Sequence, residues 1–203
     1  MYGLIGRPLG HSFSANYFNK KFAEENIDEE YRLFPLESIE DLPDLLRAHP
    51  DLKGLNVTIP YKQDVIKYLN ALSEDAAQIG AVNVIKITDS VEGKVLEGFN
   101  SDALGFRQSI LPLIKPHMKN ALVLGTGGAS KAVSHVLKNL GLNVKSVSRR
   151  KTETSISYEE VTPALLNSYY VIVNSTPLGM WPHVDDAPRL PYESLTSRHL
   201  LYD

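Results

Sequence analysis

The sequence predicts an α/β protein of two lobes, each built on a largely parallel sheet. Three observations predict it. Apolar runs alternate with helical patterns from one end of the chain to the other, the signature of strand–helix alternation. A glycine-rich turn ends one apolar run in the second half and opens a helix. A helical stretch from Ser101 to about Ile114, closed by Pro116, separates the halves and reads as a connector. A ligand is then expected in the cleft between the lobes.

The elements follow in order. Tyr2–Ile5 reads as a short strand, and a Gly/Pro loop reaches Ser12. Ser14 is placed to cap a helix from about Ala15 to Glu25. Tyr31–Leu36 reads as a strand. Ile39–Ala48 reads as an amphipathic helix with Leu42, Leu45 and Leu46 on one face. Gly54–Ile59 is a buried strand ended by Pro60, and short helices follow near Gln63–Leu69 and Ser73–Ile79. Ala81–Ile87 and Lys94–Phe99 read as a hairpin turning at Asp89–Gly93. After the glycine turn come a strand at Val144–Val147, a helix at Tyr158–Ser168 and a strand at Tyr169–Asn174. A Pro/Gly-rich loop over Pro177–Pro191 and a last strand at Arg198–Tyr202 complete the chain.

The glycine turn carries the first functional signal. Ala121-Leu122-Val123-Leu124-Gly125-Thr126-Gly127-Gly128-Ala129-Ser130-Lys131 reads as strand, tight turn, helix. In a Rossmann-type fold such glycines let the backbone approach a pyrophosphate at the helix N-terminus. An ordinary βα turn would carry the same glycines. About twenty residues on, where that fold meets the adenosine ribose, the chain runs Ser148-Arg149-Arg150-Lys151. An acid there would hold a free 2′-hydroxyl, whereas arginines suit a 2′-phosphate. No Asp or Glu occurs between Asp102 and Glu153, although the chain as a whole carries a net charge of −3. A carboxylate-free basic window fits a polyanionic ligand. The expected cofactor is NADP rather than NAD.

Composition excludes several classes. The 203 residues support one large or two small domains, and the mild acidity argues against nucleic acid or an anionic membrane as partner. The absence of cysteine rules out disulfides, thiolate metal sites and a thiol nucleophile. No clustered His and carboxylates suggest a metal. No apolar run approaches the ~18 residues a membrane span needs, and the N-terminus does not read as a signal peptide. A cytoplasmic protein is expected.

Three polar clusters follow strands in the first lobe: His11-Ser12-Phe13-Ser14, Asn56-Val57-Thr58-Ile59-Pro60-Tyr61-Lys62, and Asn83 with Asn100-Ser101-Asp102. Hydroxyls and amides at strand ends suit a small polyhydroxylated substrate. Each also has a plainer reading. Ser14 serves as a helix cap, Asn56 and Thr58 as polar strand positions, Asp102 as a first-turn acid, and Lys62 as a solvated surface lysine. In a cleft beside Asp102, Lys62 would instead be tuned for proton transfer.

The Gly54–Lys62 block, Ile79-Gly80-Ala81-Val82-Asn83, Gly98-Phe99-Asn100-Ser101-Asp102-Ala103-Leu104-Gly105, Gly6–Ser14 and Asn174-Ser175-Thr176-Pro177-Leu178-Gly179-Met180 together resemble the shikimate dehydrogenase family. That resemblance implies NADPH-dependent, reversible reduction of 3-dehydroshikimate to shikimate, in aromatic amino-acid biosynthesis by way of chorismate. It implies a substrate-binding catalytic domain over 1–100 and an NADP-binding Rossmann domain over 101–203, acting on a small molecule as monomer or homodimer. Lys62 and Asp102 would be the catalytic pair. Ser12 and Ser14 would bind the substrate carboxylate, and Asn56, Thr58 and Asn83 its hydroxyls and carbonyl. Gly125, Gly127, Gly128 and Ala129 would line the pyrophosphate turn; Ser148, Arg149, Arg150 and Lys151 would surround the adenosine phosphate; Thr176 and the loop through Met180 would lie along the cofactor.

Departures from the family pattern are Ala15 for a proline, Phe18 for a histidine, Val84 and Ser101 for threonines, Thr126 for an alanine and Ser148 for an asparagine. Relatives also continue past the position of Asp203 into helices that carry a glutamine touching substrate and a glycine near the nicotinamide. The resemblance therefore implies a dinucleotide domain incomplete at its C-terminal end. The alternatives are a quinate/shikimate dehydrogenase using NAD and a non-catalytic ligand-binding fragment.

Overall fold

The computed structural model describes residues 1–10, 12–91, 93–181 and 184–203. Of the sequence-predicted site regions, His11 of the first polar cluster and Pro182 and His183 of the Pro/Gly-rich loop lie outside the described residues. The chain divides into two compact units, Met1–Ser101 and Asp102–Asp203.

The first unit carries strands β1 (Tyr2–Gly6), β2 (Tyr31–Pro35), β3 (Gly54–Val57), β4 (Ala71–Leu72), β5 (Val84–Ser90) and β6 (Gly93–Phe99), with helices α1 (Ser14–Glu24), α2 (Leu42–Ala48) and α3 (Glu74–Ile79). Its six-stranded sheet runs β2-β1-β3-β5-β6-β4. β2, β1 and β3 are parallel, while the β5–β6 hairpin is antiparallel to β3. Successive residues of β1 face opposite sides of the sheet, as the two-residue period of a strand requires. Ile5 enters the larger core with Val57, Ile85 and Leu42, and Leu4 packs with Tyr31 beneath Phe18 and Phe22 of α1.

The second unit carries α4 (Asp102–Ile110), β7 (Asn120–Leu124), α5 (Gly128–Asn139), β8 (Asn143–Ser148), β9 (Ser155–Ser157), α6 (Pro163–Leu166), β10 (Val171–Asn174) and β11 (Leu200–Tyr202). They form a five-stranded sheet in the order β11-β10-β7-β8-β9, parallel throughout. Both faces of β7 are buried, Ala121 and Val123 against α5 and Leu122 and Leu124 against Leu166 and Ile172. Such strands read as continuous apolar runs, and Ala121–Leu124 is legible in the sequence for that reason.

Several local expectations are corrected. Ser14 does not cap α1: it is the first helical residue, and its N–H donates to Ser12 Oγ at 3.3 Å. The Ile39–Ala48 helix begins as a 3-10 turn at Ile39–Asp41 under a Ser38–Asp41 capping box, and Pro43 then sits in the first turn of α2. The segment after Lys62 is a 3-10 turn, Asp64–Tyr68. Ala81–Asn83 precede β5 instead of belonging to it, because Gly80 ends α3 in the left-handed region and the chain must still turn. Pro112 tightens the end of α4 into a 3-10 turn at Leu111–Leu113. The Tyr158–Ser168 helix is a 3-10 turn at Tyr158–Glu160 followed by the short α6, separated at Thr162, whose side chain caps α6. β4 and β9 are too short to show a period in the sequence.

Candidate substrate and dinucleotide sites

In the first unit the candidate residues gather around the ends of β1 and β3. The Thr58 N–H donates to Ile5 O at 2.9 Å and the Arg7 N–H to Ile59 O at 2.9 Å, so the two loops stay paired beyond their strands. A Cβ on Gly6 would lie 2.3 Å from Thr58 Cγ2, so glycine is what permits this approach. Pro60 is cis after Ile59. Buried Tyr61 donates its hydroxyl to Leu36 O at 2.7 Å, anchoring the turn that carries Lys62. Burial raises the Tyr61 phenol above its ordinary pKa. The Lys62 carbonyl accepts from Val82 N at 2.7 Å, which fixes the lysine backbone beside Asn83.

Asn83 is buried and bidentate on Ser101: its Oδ1 accepts from Ser101 N at 2.8 Å, and its Nδ2 donates to Ser101 Oγ at 3.0 Å. It therefore also braces the segment leading into Asp102. Its backbone carbonyl accepts from Val57 N at 2.9 Å and from Asn56 Nδ2 at 3.4 Å. Asn56, Asn83 and the Lys62 backbone thus form one connected patch, with Thr58 on the same loop. Ser12 and Ser14 meet at the start of α1.

Tyr31 is a further member of this patch. Its hydroxyl donates to Asn56 Oδ1 at 2.7 Å and lies beside the Ser14 hydroxyl. Burial of the phenol raises its pKa to about 12, and the Ser14 contact opposes part of that shift. The available signal was a tyrosine opening a strand, which by itself is ordinary. A groove of about 420 Å³ along the sheet face is lined by Tyr2, Phe18, Phe22, Leu55 and Ile85, with Tyr31 and Asn56 on its wall.

In the second unit the strand order reverses between β7 and β10, and ligands of such sheets bind at the carboxyl ends of the strands at that switch point. Gly125 follows β7 with φ +112°, a conformation side chains rarely adopt, and a Cβ there would lie 2.8 Å from Ser130 Oγ. Ser130 is buried in the first turn of α5 and bonds Ser175 Oγ at 2.8 Å; Ser175 Oγ donates to Leu124 O at 2.7 Å. The two switch-point strands are stitched together there. Gly127 differs. Its backbone is extended (φ −78°, ψ −174°), and a Cβ would meet nothing within 4 Å. The N-terminus of α5, with Gly128 and Ala129 in its first turn, therefore opens onto space an anion can use.

Ser148 ends β8, its hydroxyl bonding Arg150 O and, at 2.8 Å, Ser155 Oγ. Arg149 and Arg150 are exposed just beyond. Lys151 is bound at 2.7 Å by Glu160, whose carboxyl is held below its usual range by that ammonium and by the Ser157 N–H. A carboxylate absent from the basic window in sequence thus folds back onto one of its bases, leaving the two arginines as the guanidinium pair. The Thr176 hydroxyl donates to Asn174 Oδ1 at 2.7 Å, bracing the loop after β10.

This doubly wound parallel sheet, with its glycine turn and strand-end arginines, is a Rossmann-type dinucleotide-binding unit. Residues 4–85, in the other unit, match the family model of the shikimate dehydrogenase substrate binding domain. The chain is 39% identical to a shikimate dehydrogenase (NADP(+)) of Clostridium beijerinckii, over 92% of this chain and 71% of that protein. It is 33% identical to the Methanosphaera stadtmanae enzyme of the same name, over 99% and 76%. A crystal structure of a shikimate dehydrogenase in complex with NADP+ superposes with a TM-score of 0.82 at 31% identity, covering 98% of this chain and 74% of that one. The Thermus thermophilus enzyme in complex with NADP(H) and shikimate does so at 0.80 and 28% identity, covering 98% and 76%. The chain belongs to the shikimate dehydrogenase family.

Proposed function

We infer that the protein catalyses the NADP-dependent, reversible reduction of 3-dehydroshikimate to shikimate. The reaction class rests on family membership. The observation that carries the cofactor is the exposed Arg149–Arg150 pair after β8, where an acid would stand for NAD. Gly127 and the first turn of α5 receive the pyrophosphate, with Gly125 shaping the turn. NADPH, when bound, supplies the hydride.

The chain's own residues do the rest. Ser12 and Ser14 bind the substrate carboxylate; Asn56, Thr58 and Asn83 bind its hydroxyls. Reduction of a ketone places negative charge on its oxygen. The Lys62 ammonium stabilises that charge and delivers the proton that becomes the new hydroxyl's. Asp102 is the second catalytic residue. Ser148 supports the arginine turn, Lys151 adds to the positive potential around the 2′-phosphate, and Thr176 holds the loop along the cofactor. The same reading places the enzyme in the cytoplasm, as monomer or homodimer.

The test is initial-rate measurement of 3-dehydroshikimate reduction with NADPH and with NADH, alongside calorimetric titration of shikimate and NADP+. Turnover with a strong NADPH preference is expected. An NADH preference removes the arginine assignment, and binding of both ligands without turnover removes the enzymatic one.

A further inference from the structure

We propose that Tyr31 is a positioning residue of the substrate site, which sets the amide of Asn56 as a hydrogen-bond donor beside Ser14. The proposal rests on the substrate-binding reading of those two residues.

Tyr31 opens β2, the edge strand of the first sheet, and is held from three sides. Asn19 of α1 binds both of its backbone groups: Nδ2 donates to Tyr31 O at 2.9 Å, and the Tyr31 N–H donates to Asn19 Oδ1 at 2.8 Å. The Asn19 amide thus stands in for a neighbouring strand at the sheet edge. Phe18 stacks on the Tyr31 ring, with centroids 4.8 Å apart and planes 16° from parallel. Tyr31 as a whole is 4% exposed. The phenol oxygen cannot wander, and it meets Asn56 of β3 and Ser14 of α1.

The direction of the bonds follows from the donor inventory. Nδ2 of Asn56 faces the Asn83 carbonyl, which can only accept, so Oδ1 is the atom that accepts from the Tyr31 O–H at 2.7 Å. With its oxygen engaged, Asn56 turns its nitrogen to Asn83 O at 3.4 Å, which uses one of the two N–H groups. The other N–H remains to donate to a substrate oxygen. Without the phenol the amide keeps only its 3.4 Å bond to Asn83 O to hold this orientation, and its flipped form would present a carbonyl where a donor is needed.

Tyr31→Phe keeps the stacked ring and the Asn19 bridge and removes the hydroxyl alone. Calorimetry with shikimate and with NADP+ is expected to show shikimate affinity weakened about tenfold, as for loss of one well-placed hydrogen bond, with NADP+ affinity unchanged. On an Asn56→Ala background the same change should weaken shikimate binding by less than about twofold, since the partner it orients is gone. Exchange of the Asn56 side-chain amide protons, followed by NMR without ligand, should be slow in the unaltered protein and fast in Tyr31→Phe. Unchanged exchange overturns the positioning role. Fast exchange with unchanged shikimate affinity, or an equal loss of NADP+ affinity, overturns its link to the substrate site. Failure of the unaltered protein to bind shikimate would instead strike the functional reading, while the exchange measurement still decides the orientation of Asn56.

Discussion

Gly125→Ala and Gly127→Ala change the same turn by one methyl each and are expected to fail in opposite ways. At Gly125 the backbone sits at φ +112°, outside the left-handed well that L residues tolerate best. Positive φ of this kind costs about 2 kcal/mol. The new Cβ would also lie 2.8 Å from Ser130 Oγ and 3.2 Å from Ser175 O, so the Ser130–Ser175 bond must give way. A buried hydrogen bond contributes about 1 kcal/mol, which brings the loss to about 3 kcal/mol. For a unit of this size that lowers the melting temperature by about 10–20 °C. At Gly127 the backbone is already extended and the methyl meets open space. The reduced entropy of the unfolded chain offsets the poorer helix cap, so melting should shift by less than about 3 °C. The methyl does occupy the approach of a pyrophosphate, and NADP+ affinity should fall about tenfold or more, ~1.4 kcal/mol at least. Thermal unfolding followed by circular dichroism and NADP+ calorimetry read the two effects. Unchanged melting of Gly125→Ala, or unchanged NADP+ binding of Gly127→Ala, would refute this division of labour.

Three further outcomes are expected. Lys62→Ala should lower kcat by about two orders of magnitude or more, in keeping with loss of a general acid–base group; steady-state rates check it, and a near-normal kcat would take Lys62 out of the chemistry. Replacing Arg149 and Arg150 together by Ala should weaken NADP+ far more than NAD+, and equal weakening of the two in parallel titrations would contradict a 2′-phosphate role. Glu40 is held at a pKa of about 2 by hydrogen bonds to Lys67 and Ser38. Because its folded value is depressed, its contribution is present above the unfolded value near 4.5 and is lost as pH falls from there toward 2. Glu40→Gln should therefore flatten the fall of the melting temperature across that window, and a curve of unchanged shape would rule the pair out.

The legible parts were those where local chemistry and tertiary context agree. Leu122 and Leu124 are apolar because β7 is buried on both faces, and its neighbours are glycines because of the turn that follows. The parts that were not legible depended on partners distant in sequence. Serine before a helix is usually a cap, but Ser14 is the first helical residue, and the N-cap position falls to Phe13 with no side-chain cap. Glu160 lies beyond the basic window in sequence and reaches Lys151 only because β9 and the Tyr158–Glu160 turn bring it back. The split of Ile39–Ala48 was foreshadowed by Pro43, which restricts the residue before it and favours a first-turn position.

By itself the sequence determined the α/β class, the strand–turn–helix of the nucleotide half, the basic run after β8, and the polar loops that follow strands of the first unit. These follow from periodicity, glycine and charge, which act within a few residues of chain. Only the tertiary structure decided which of those polar groups are committed to one another. It gave Gly125 a structural duty and Gly127 an open face, joined Lys151 to Glu160, and joined Tyr31 of the edge strand to Asn56. A hydrogen bond depends on approach to within about 3 Å, and parallel strands bring together residues whose distance along the chain says nothing of their distance in space.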